Sequence, residues 1–216
     1  MDATRLIVIR HGETAWNVDT RIQGHLDIPL NDTGRWQAER MARALAGEPI
    51  HAIYSSDLGR AFETASILSR HHPELRGRAP EATTALRERC FGHFEGQTWA
   101  DIETRWPEDS ERWRKREPHW APEGGESLVQ LRARIAGIVQ ELAARHVGEQ
   151  IALVAHGGVL DAMYRLATGL DIQAPRSWPL TNTAINRLLW TPDSFTLVGW
   201  GDTRHLEDES LDEQTA

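Results

Sequence analysis

The run Leu6-Ile7-Val8-Ile9, closed off by Arg5 and Arg10, has the pattern of a strand buried on both faces. Ala52-Ile53-Tyr54 and Ile151-Ala152-Leu153-Val154-Ala155 are two more short apolar runs of this kind. Between them the period lengthens to that of a helix. Ala38, Met41, Ala42 and Leu45 share one face of a helix expected over 33–46, with Gly47 as its stop. Leu58, Ala61, Ala65 and Leu68 mark another, with Ser56 or Asp57 as its cap. The cleanest stripe is Leu128, Leu131, Ile135, Ile138 and Leu142, following Gly124-Gly125 and ending near His146 and Gly148. A further helix leaves His156-Gly157-Gly158 and runs to Thr168. Strands near 184–190 and 195–200 flank Pro192-Asp193 as a hairpin.

Strands alternating with helices predict an α/β fold: three layers, α/β/α, around a mainly parallel central sheet. Residues 88–123 interrupt the alternation. Trp99, Trp106, Trp113 and Trp120 recur every seven positions, which would align them on one helix, but Pro107, Pro118 and Pro122 forbid a single helix. The expectation is a small lid of short helices whose tryptophans bury its underside.

Composition narrows the class. A length of 216 residues with 40% hydrophobic positions suits one domain, expected at 1–205 with the lid around 88–123. Glu207, Asp208, Glu209, Asp212 and Glu213, with no base among them, predict a disordered acidic tail over 206–216. Acidic residues outnumber basic ones by 32 to 24, which argues against nucleic-acid and membrane-surface partners. Cys90 alone can form neither an internal disulfide nor a cysteine zinc site. No apolar run approaches the roughly 20 residues of a membrane span, and the N-terminus lacks a signal-peptide pattern, so the expected location is the cytoplasm. Pairing into a homodimer is left open.

Candidate chemistry gathers at strand ends. Arg10-His11-Gly12-Glu13 follows the first buried run, and His156-Gly157-Gly158 lies between another and a helix. Ligands of open α/β sheets bind at the carboxyl ends of strands, and a helix N-terminus is a natural phosphate seat. The glycines would let backbone approach a ligand closely. Ser55-Ser56-Asp57-Leu58-Gly59-Arg60-Ala61 is a third strand end turning into a helix. Arg60 lies off its apolar stripe, as either a solvated arginine or a second guanidinium meeting Arg10 over one phosphate.

The segment L-I-V-I-R-H-G-E-T-A-W-N, from Leu6 to Asn17, resembles the opening of the histidine phosphatase superfamily, which includes the cofactor-dependent phosphoglycerate mutases. The resemblance continues through Arg21-Ile22-Gln23-Gly24, Asp27-Ile28-Pro29-Leu30, the Arg60 segment with Thr64-Ala65, and Leu86-Arg87-Glu88. Phe91-Gly92-His93-Phe94-Glu95-Gly96, Gly124-Gly125-Glu126-Ser127 and Val154-Ala155-His156-Gly157-Gly158 complete it in the family's order. It implies that His11 is the nucleophile that becomes phosphohistidine, with Arg10, Arg60 and His156 holding the phosphoryl oxygens. Glu88 would protonate the leaving oxygen and then activate water. Asn17, Gln23, Gly24 and Gly157 would line the phosphate end of the pocket. The residue types suit this chemistry, since a neutral imidazole attacks and fixed cations stabilise charge on three equatorial oxygens. Glu88 needs a raised pKa to begin protonated, which burial would supply and nearby arginines would oppose. No metal is expected, because arginines and His156 do the electrostatic work.

Phe94-Glu95-Gly96 looks like the phosphatase branch of the family, and Phe91 and Trp99 stand where mutases carry a tyrosine and a lysine. Trp113-Arg114-Lys115 resembles instead a mutase element that grips a substrate carboxylate. Arg112, Arg114, Lys115 and Arg116 either form a solvated helix face or turn a charge inward toward a second anionic group. The expected function is a metal-independent phosphomonoesterase acting on a small phosphorylated metabolite without a cofactor. The alternatives are a phosphoglycerate mutase primed by 2,3-bisphosphoglycerate and a non-catalytic phospho-ligand binding module.

Overall fold

A computed structural model describes residues 2–207. In chain order these form β1 (Thr4–Arg10), α1 (Ala15–Val18), α2 (Asp32–Ala44), β2 (Ala52–Ser56), α3 (Gly59–His71) and β3 (Glu81–Thr83). The lid follows as α4 (Trp99–Arg105) and α5 (Pro107–Arg114), then α6 (Leu128–Ala144), β4 (Gln150–Ala155), α7 (Gly157–Thr168), β5 (Ile185–Thr191) and β6 (Ser194–Asp202).

The sheet runs β3-β2-β4-β1-β5-β6. Its first four strands pair in parallel, and the late hairpin adds two antiparallel strands at one edge. Side chains alternate along a strand, so the continuous apolar run in β1 serves two cores. Ile7 and Ile9 pack with Met41, Leu45 and Leu68 under α2 and α3. Leu6 and Val8 pack with Leu131, Ile135, Leu160 and Met163 under α6 and α7. This is the expected α/β/α sandwich. Strand β3 carried no signal because it is three residues long and mostly exposed.

Helix ends show where local reading falls short. Helix α2 is capped by Asn31, whose side chain accepts from Gly34 N–H. Neither Ser56 nor Asp57 caps α3. Its N-cap is Leu58, without a side-chain bond, because Asp57 is held by both arms of Arg87 at 2.6 and 2.8 Å. Gly59 N–H instead donates to Asp27 from a distant loop at 2.7 Å. The stripe of α6 begins after a capping box of Ser127 and Gln130. Helix α7 ends at Thr168, with Gly169 left-handed at φ 68°.

The lid is made of short helices, as the prolines demand, and Pro107 sits in the first turn of α5. The tryptophans do not share one helix face. Trp106 caps α5, Trp113 lies near its end and Trp120 follows it, and all three converge on fully buried Phe94, with ring centroids 5.8, 5.9 and 6.1 Å away. Arg40 donates to the carbonyls of His205 and Glu207, so the chain is tied down two residues into the segment expected to be tail. Residues 208–216 of that segment lie outside the described residues. Among the described residues no helix is long and apolar enough to cross a membrane.

Candidate active site

Strand register brings the two histidines together. Arg10 pairs with Ala155 in the parallel β1/β4 ladder, so His11 and His156 leave adjacent strands at the same level. His11 N–H donates to Ala155 O at 2.9 Å, and the two rings lie 5.3 Å apart between centroids. Strand β2 is the next neighbour, pairing Ser55 with Val154, and its turn into α3 brings Arg60 to the same end of the sheet. Four residues or fewer past each strand, three candidate side chains therefore meet.

His11 is 2% exposed, and its Nδ1 lies 2.7 Å from Gly12 O. A carbonyl only accepts, so Nδ1 carries the proton and Nε2 holds the lone pair. Burial, then the charges of Arg10 and Arg60, hold the His11 pKa well below its ordinary value. His156 is fully buried, and its pKa is also held far down, first by burial, then by Arg60, His11 and Arg10. Neither His156 ring nitrogen has a hydrogen-bond partner among the described residues. The Nε atoms of Arg10 and Arg60 are buried and likewise unpartnered. Buried polar atoms normally find partners, so such a cluster marks a place where an anion supplies the acceptors.

Arg60 is 1% exposed, which excludes the solvated reading. Its fork donates to Gly24 O at 2.7 Å and Leu26 O at 2.8 Å. Gly24 thus serves through its carbonyl. Its φ of 53° and the Glu95 side chain, which any Cβ would meet at 2.1 Å, restrict the position to glycine. Gly12 is small for a reason other than ligand approach: a Cβ there would lie 2.3 Å from Gly34 O at the start of α2. Arg10 donates to Leu180 O, while Asn182 Nδ2 holds the His11 carbonyl at 2.7 Å.

Glu88 arrives from the start of the lid. Its carboxylate accepts from Gly158 N–H at 3.0 and 3.1 Å and from Arg89 N–H at 2.8 Å. Gly157 separates it from Arg10: a Cβ on Gly157 would lie 3.6 Å from Arg10 Nε and 3.9 Å from Glu88 Oε2. A Cβ on Gly158 would press on Glu88 Oε1 at 2.4 Å, so the second glycine makes the carboxylate seat. Asn17 and Gln23 both brace Thr14. Asn17 Oδ1 accepts from Thr14 N–H at 3.0 Å, and Gln23 Oε1 accepts from Thr14 Oγ1 at 3.0 Å.

Several site residues were not singled out by sequence. Arg89, 5% exposed, donates from Nε to Glu126 O and lies over the Trp113 ring at 4.9 Å. His25 Nε2 lies 2.8 Å from Glu88 O and steadies that segment from the other side. Arg176 and Arg116 join Arg10, Arg89, Phe91 and Trp113 around a cavity of about 380 Å³ beside Gly157 and Gly158. Arg114 and Lys115 turn outward to Glu103 and Glu111, so of the four basic residues whose direction was open, Arg116 is the one that lines this cavity. Only the Arg-Glu adjacency at 87–89 hinted at Arg89, and nothing local marks Arg176.

The two buried neutral histidines have a stability consequence. Their folded pKa values lie below the ordinary 6.5, so stability is whole above about pH 6.5 and is lost as pH falls through that window. Each histidine contributes up to about 1.4 kcal/mol per pH unit there. Urea unfolding between about pH 7 and 5 should show this loss, and His156→Gln should remove about half of that slope. A flat wild-type profile would contradict the neutral, buried assignment.

Fold and site define the class. The chain belongs to the histidine phosphatase superfamily (branch 1), whose pattern it matches over residues 6–203. It is an enzyme of the histidine phosphatase type. It is 39% identical to phosphoglycerate mutase-like protein 4 of Arabidopsis thaliana, over 96% of this chain and 89% of that one. It is 35% identical to the metal-independent phosphoserine phosphatase of the same plant, over 95% and 84% of the two chains. A mycobacterial glucosyl-3-phosphoglycerate phosphatase, solved with VO3, superposes with a TM-score of 0.79 at 34% identity, covering 92% of this chain and 99% of that one.

Proposed function

We propose that the protein hydrolyses small phosphomonoesters by way of a phosphohistidine on His11, without a metal or cofactor. The observation that carries this reading is the His11 tautomer: Nδ1–H is committed to Gly12 O, which aims an unprotonated Nε2 into a ring of buried, unpartnered donors. His11 Nε2 attacks phosphorus as the P–O bond to the leaving group breaks. Arg10, Arg60 and His156 receive the charge spread over the equatorial oxygens. Asn17 and Gln23 offer the amide N–H groups left over from bracing Thr14. Glu88 gives a proton to the departing oxygen, then takes one from the water that cleaves the N–P bond.

The named activities of the two phosphatase relatives support hydrolysis of a phosphorylated metabolite. The pairing of Arg114 with Glu103 and of Lys115 with Glu111 weighs against a mutase, because of the Trp-Arg-Lys element only Trp113, and neither cation, borders the cavity beside Gly157. Cationic side chains supply the electrostatics in this reading. Among the described residues no cluster of three or more His, Cys, Asp or Glu side chains is placed to hold a metal ion.

The test is phosphate release from a panel of metabolite phosphates in the presence of EDTA. Turnover is expected to be unaffected by the chelator, and strong inhibition would overturn the metal-free part. With 3-phosphoglycerate and 2,3-bisphosphoglycerate together, inorganic phosphate is the expected product. Accumulation of 2-phosphoglycerate would establish the mutase instead.

A further inference from the structure

The cavity beside Gly157 carries more positive charge than one phosphoryl group requires. It continues outward into a second space of about 550 Å³, and Arg89, Arg116 and Arg176 border both. Arg116 has two of its guanidinium nitrogens engaged and Arg89 has one. Arg116 is bound to Asp161 at 3.0 Å and to Ile172 O at 2.7 Å, and Asp161 is also held by Arg165. Arg89 donates to Glu126 O and lies against Trp113. Arg176 makes no hydrogen bond or ion pair with any described residue.

The cations repel one another across this space. Burial, with Arg116 adding to it, lowers Arg89 to about 10. The charge of Arg176 disfavours the charged forms of both Arg10 and Arg116. Asp161, the one carboxylate among the described residues bordering the inner cavity, is shared by two arginines already. A further anion entering here relieves repulsion from several sides at once.

Arg176 is exposed, yet its loop is fixed. Two residues on, Trp178 is buried, stacked on Tyr164 at 4.0 Å and lying under Arg165 at 4.8 Å. Pro175 and Pro179 stiffen the backbone on either side. The lid is strapped to the same loop through Arg116 to Ile172 O and Gln173 Nε2 to Lys115 O. The backbone that carries the guanidinium to the mouth of the cavity is therefore fixed, which limits the ordering cost of a charged contact there to the side chain itself.

We propose that Arg176 reads a carboxylate on the leaving group, backed by Arg89, so that preferred substrates are phosphomonoesters bearing a second, carboxylate anion. The planar, unengaged fork suits a carboxylate bidentately, and Phe91, Trp113 and Leu128 supply an apolar wall for the short carbon skeleton between the two anions. The inference rests on the phosphohistidine reading above. Its new content is the residue: the carboxylate is met from the loop after α7, while Arg114, which also borders the outer space, is paired with Glu103, and Lys115 with Glu111.

The experiment compares kcat/KM for 3-phosphoglycerate, glycerol 3-phosphate and fructose 1,6-bisphosphate in the wild type and in Arg176→Met and Arg176→Lys. Wild type should favour 3-phosphoglycerate over glycerol 3-phosphate. Arg176→Met should reduce that ratio by about tenfold or more, mainly through KM, as expected for a lost charge-assisted contact. Arg176→Lys should restore part of the ratio. An unchanged ratio in Arg176→Met, with turnover intact, overturns the role of Arg176 while leaving the phosphatase reading in place. An equal loss on fructose 1,6-bisphosphate overturns the carboxylate assignment. Absence of phosphate release from every ester overturns both readings.

Discussion

His11→Ala is expected to lower phosphate release by about 10⁴-fold or more, because the covalent step loses its nucleophile. The imidazole holds its Nδ1 proton on Gly12 O while Nε2 stays unprotonated. Its depressed pKa, set by burial, Arg10 and Arg60, keeps that lone pair available well into the acid range. The variant should still fold, since the ring's hydrogen bond is to the next residue and the main chain at this point is held by Ala155, Asn182 and Thr183. Rapid quench with a ³²P-labelled ester should trap an acid-labile label on the wild type and none on His11→Ala. Labelling that survives the substitution would place the nucleophile elsewhere.

Glu88→Gln should have the second-largest effect, a loss of about 10²- to 10⁴-fold on an alkyl phosphate. Glutamine keeps an oxygen for Gly158 N–H and Arg89 N–H, so the position of the segment is retained. What disappears is the ability to deliver and reclaim a proton. The loss should therefore depend on the leaving group: large for glycerol 3-phosphate, and much smaller in the first step for p-nitrophenyl phosphate, whose phenolate departs without help. Burst kinetics would then separate the two steps, with phenolate released rapidly and dephosphorylation slow. Equal losses on both esters, with no burst, would remove Glu88 from the acid role.

The most legible residues were those whose position follows from one strand end. His11 and His156 each leave an apolar run through glycine, and the parallel β1/β4 register makes neighbours of two such ends. Arg60 was visible as a residue off its helix stripe, but its burial was not. That burial comes from the loop at 24–26, which supplies two carbonyl acceptors from across the site. Asp57 illustrates the opposite error. Its local chemistry says helix cap, yet Arg87, thirty residues away, claims both oxygens. A charge-assisted bidentate pair outweighs a single cap bond.

The lid was readable in kind and unreadable in detail. Prolines dictated short helices, but the heptad-spaced tryptophans are only half-buried, and what Trp106, Trp113 and Trp120 cover is Phe94, a convergence that follows from how α5 and the chain after it fold over one ring. Similarly, four basic residues at 112–116 could not be assigned a direction from periodicity. Arg116 ends the run in a left-handed conformation at φ 51°, held by Ile172 O and Asp161, which turns its side chain away from its neighbours.

The amino-acid order by itself determined the layered sandwich, the strand ends that carry chemistry and the family to which the chain belongs. These depend on local periodicity and on short motifs, which survive in one dimension. Tertiary structure alone decided which cations lose water, which glycine seats Glu88, and that Arg89, Arg116 and Arg176 meet around a shared cavity. Those properties depend on distances between segments far apart in sequence. Burial and like-charge proximity are summed over all of them, and no short stretch of chain carries that sum.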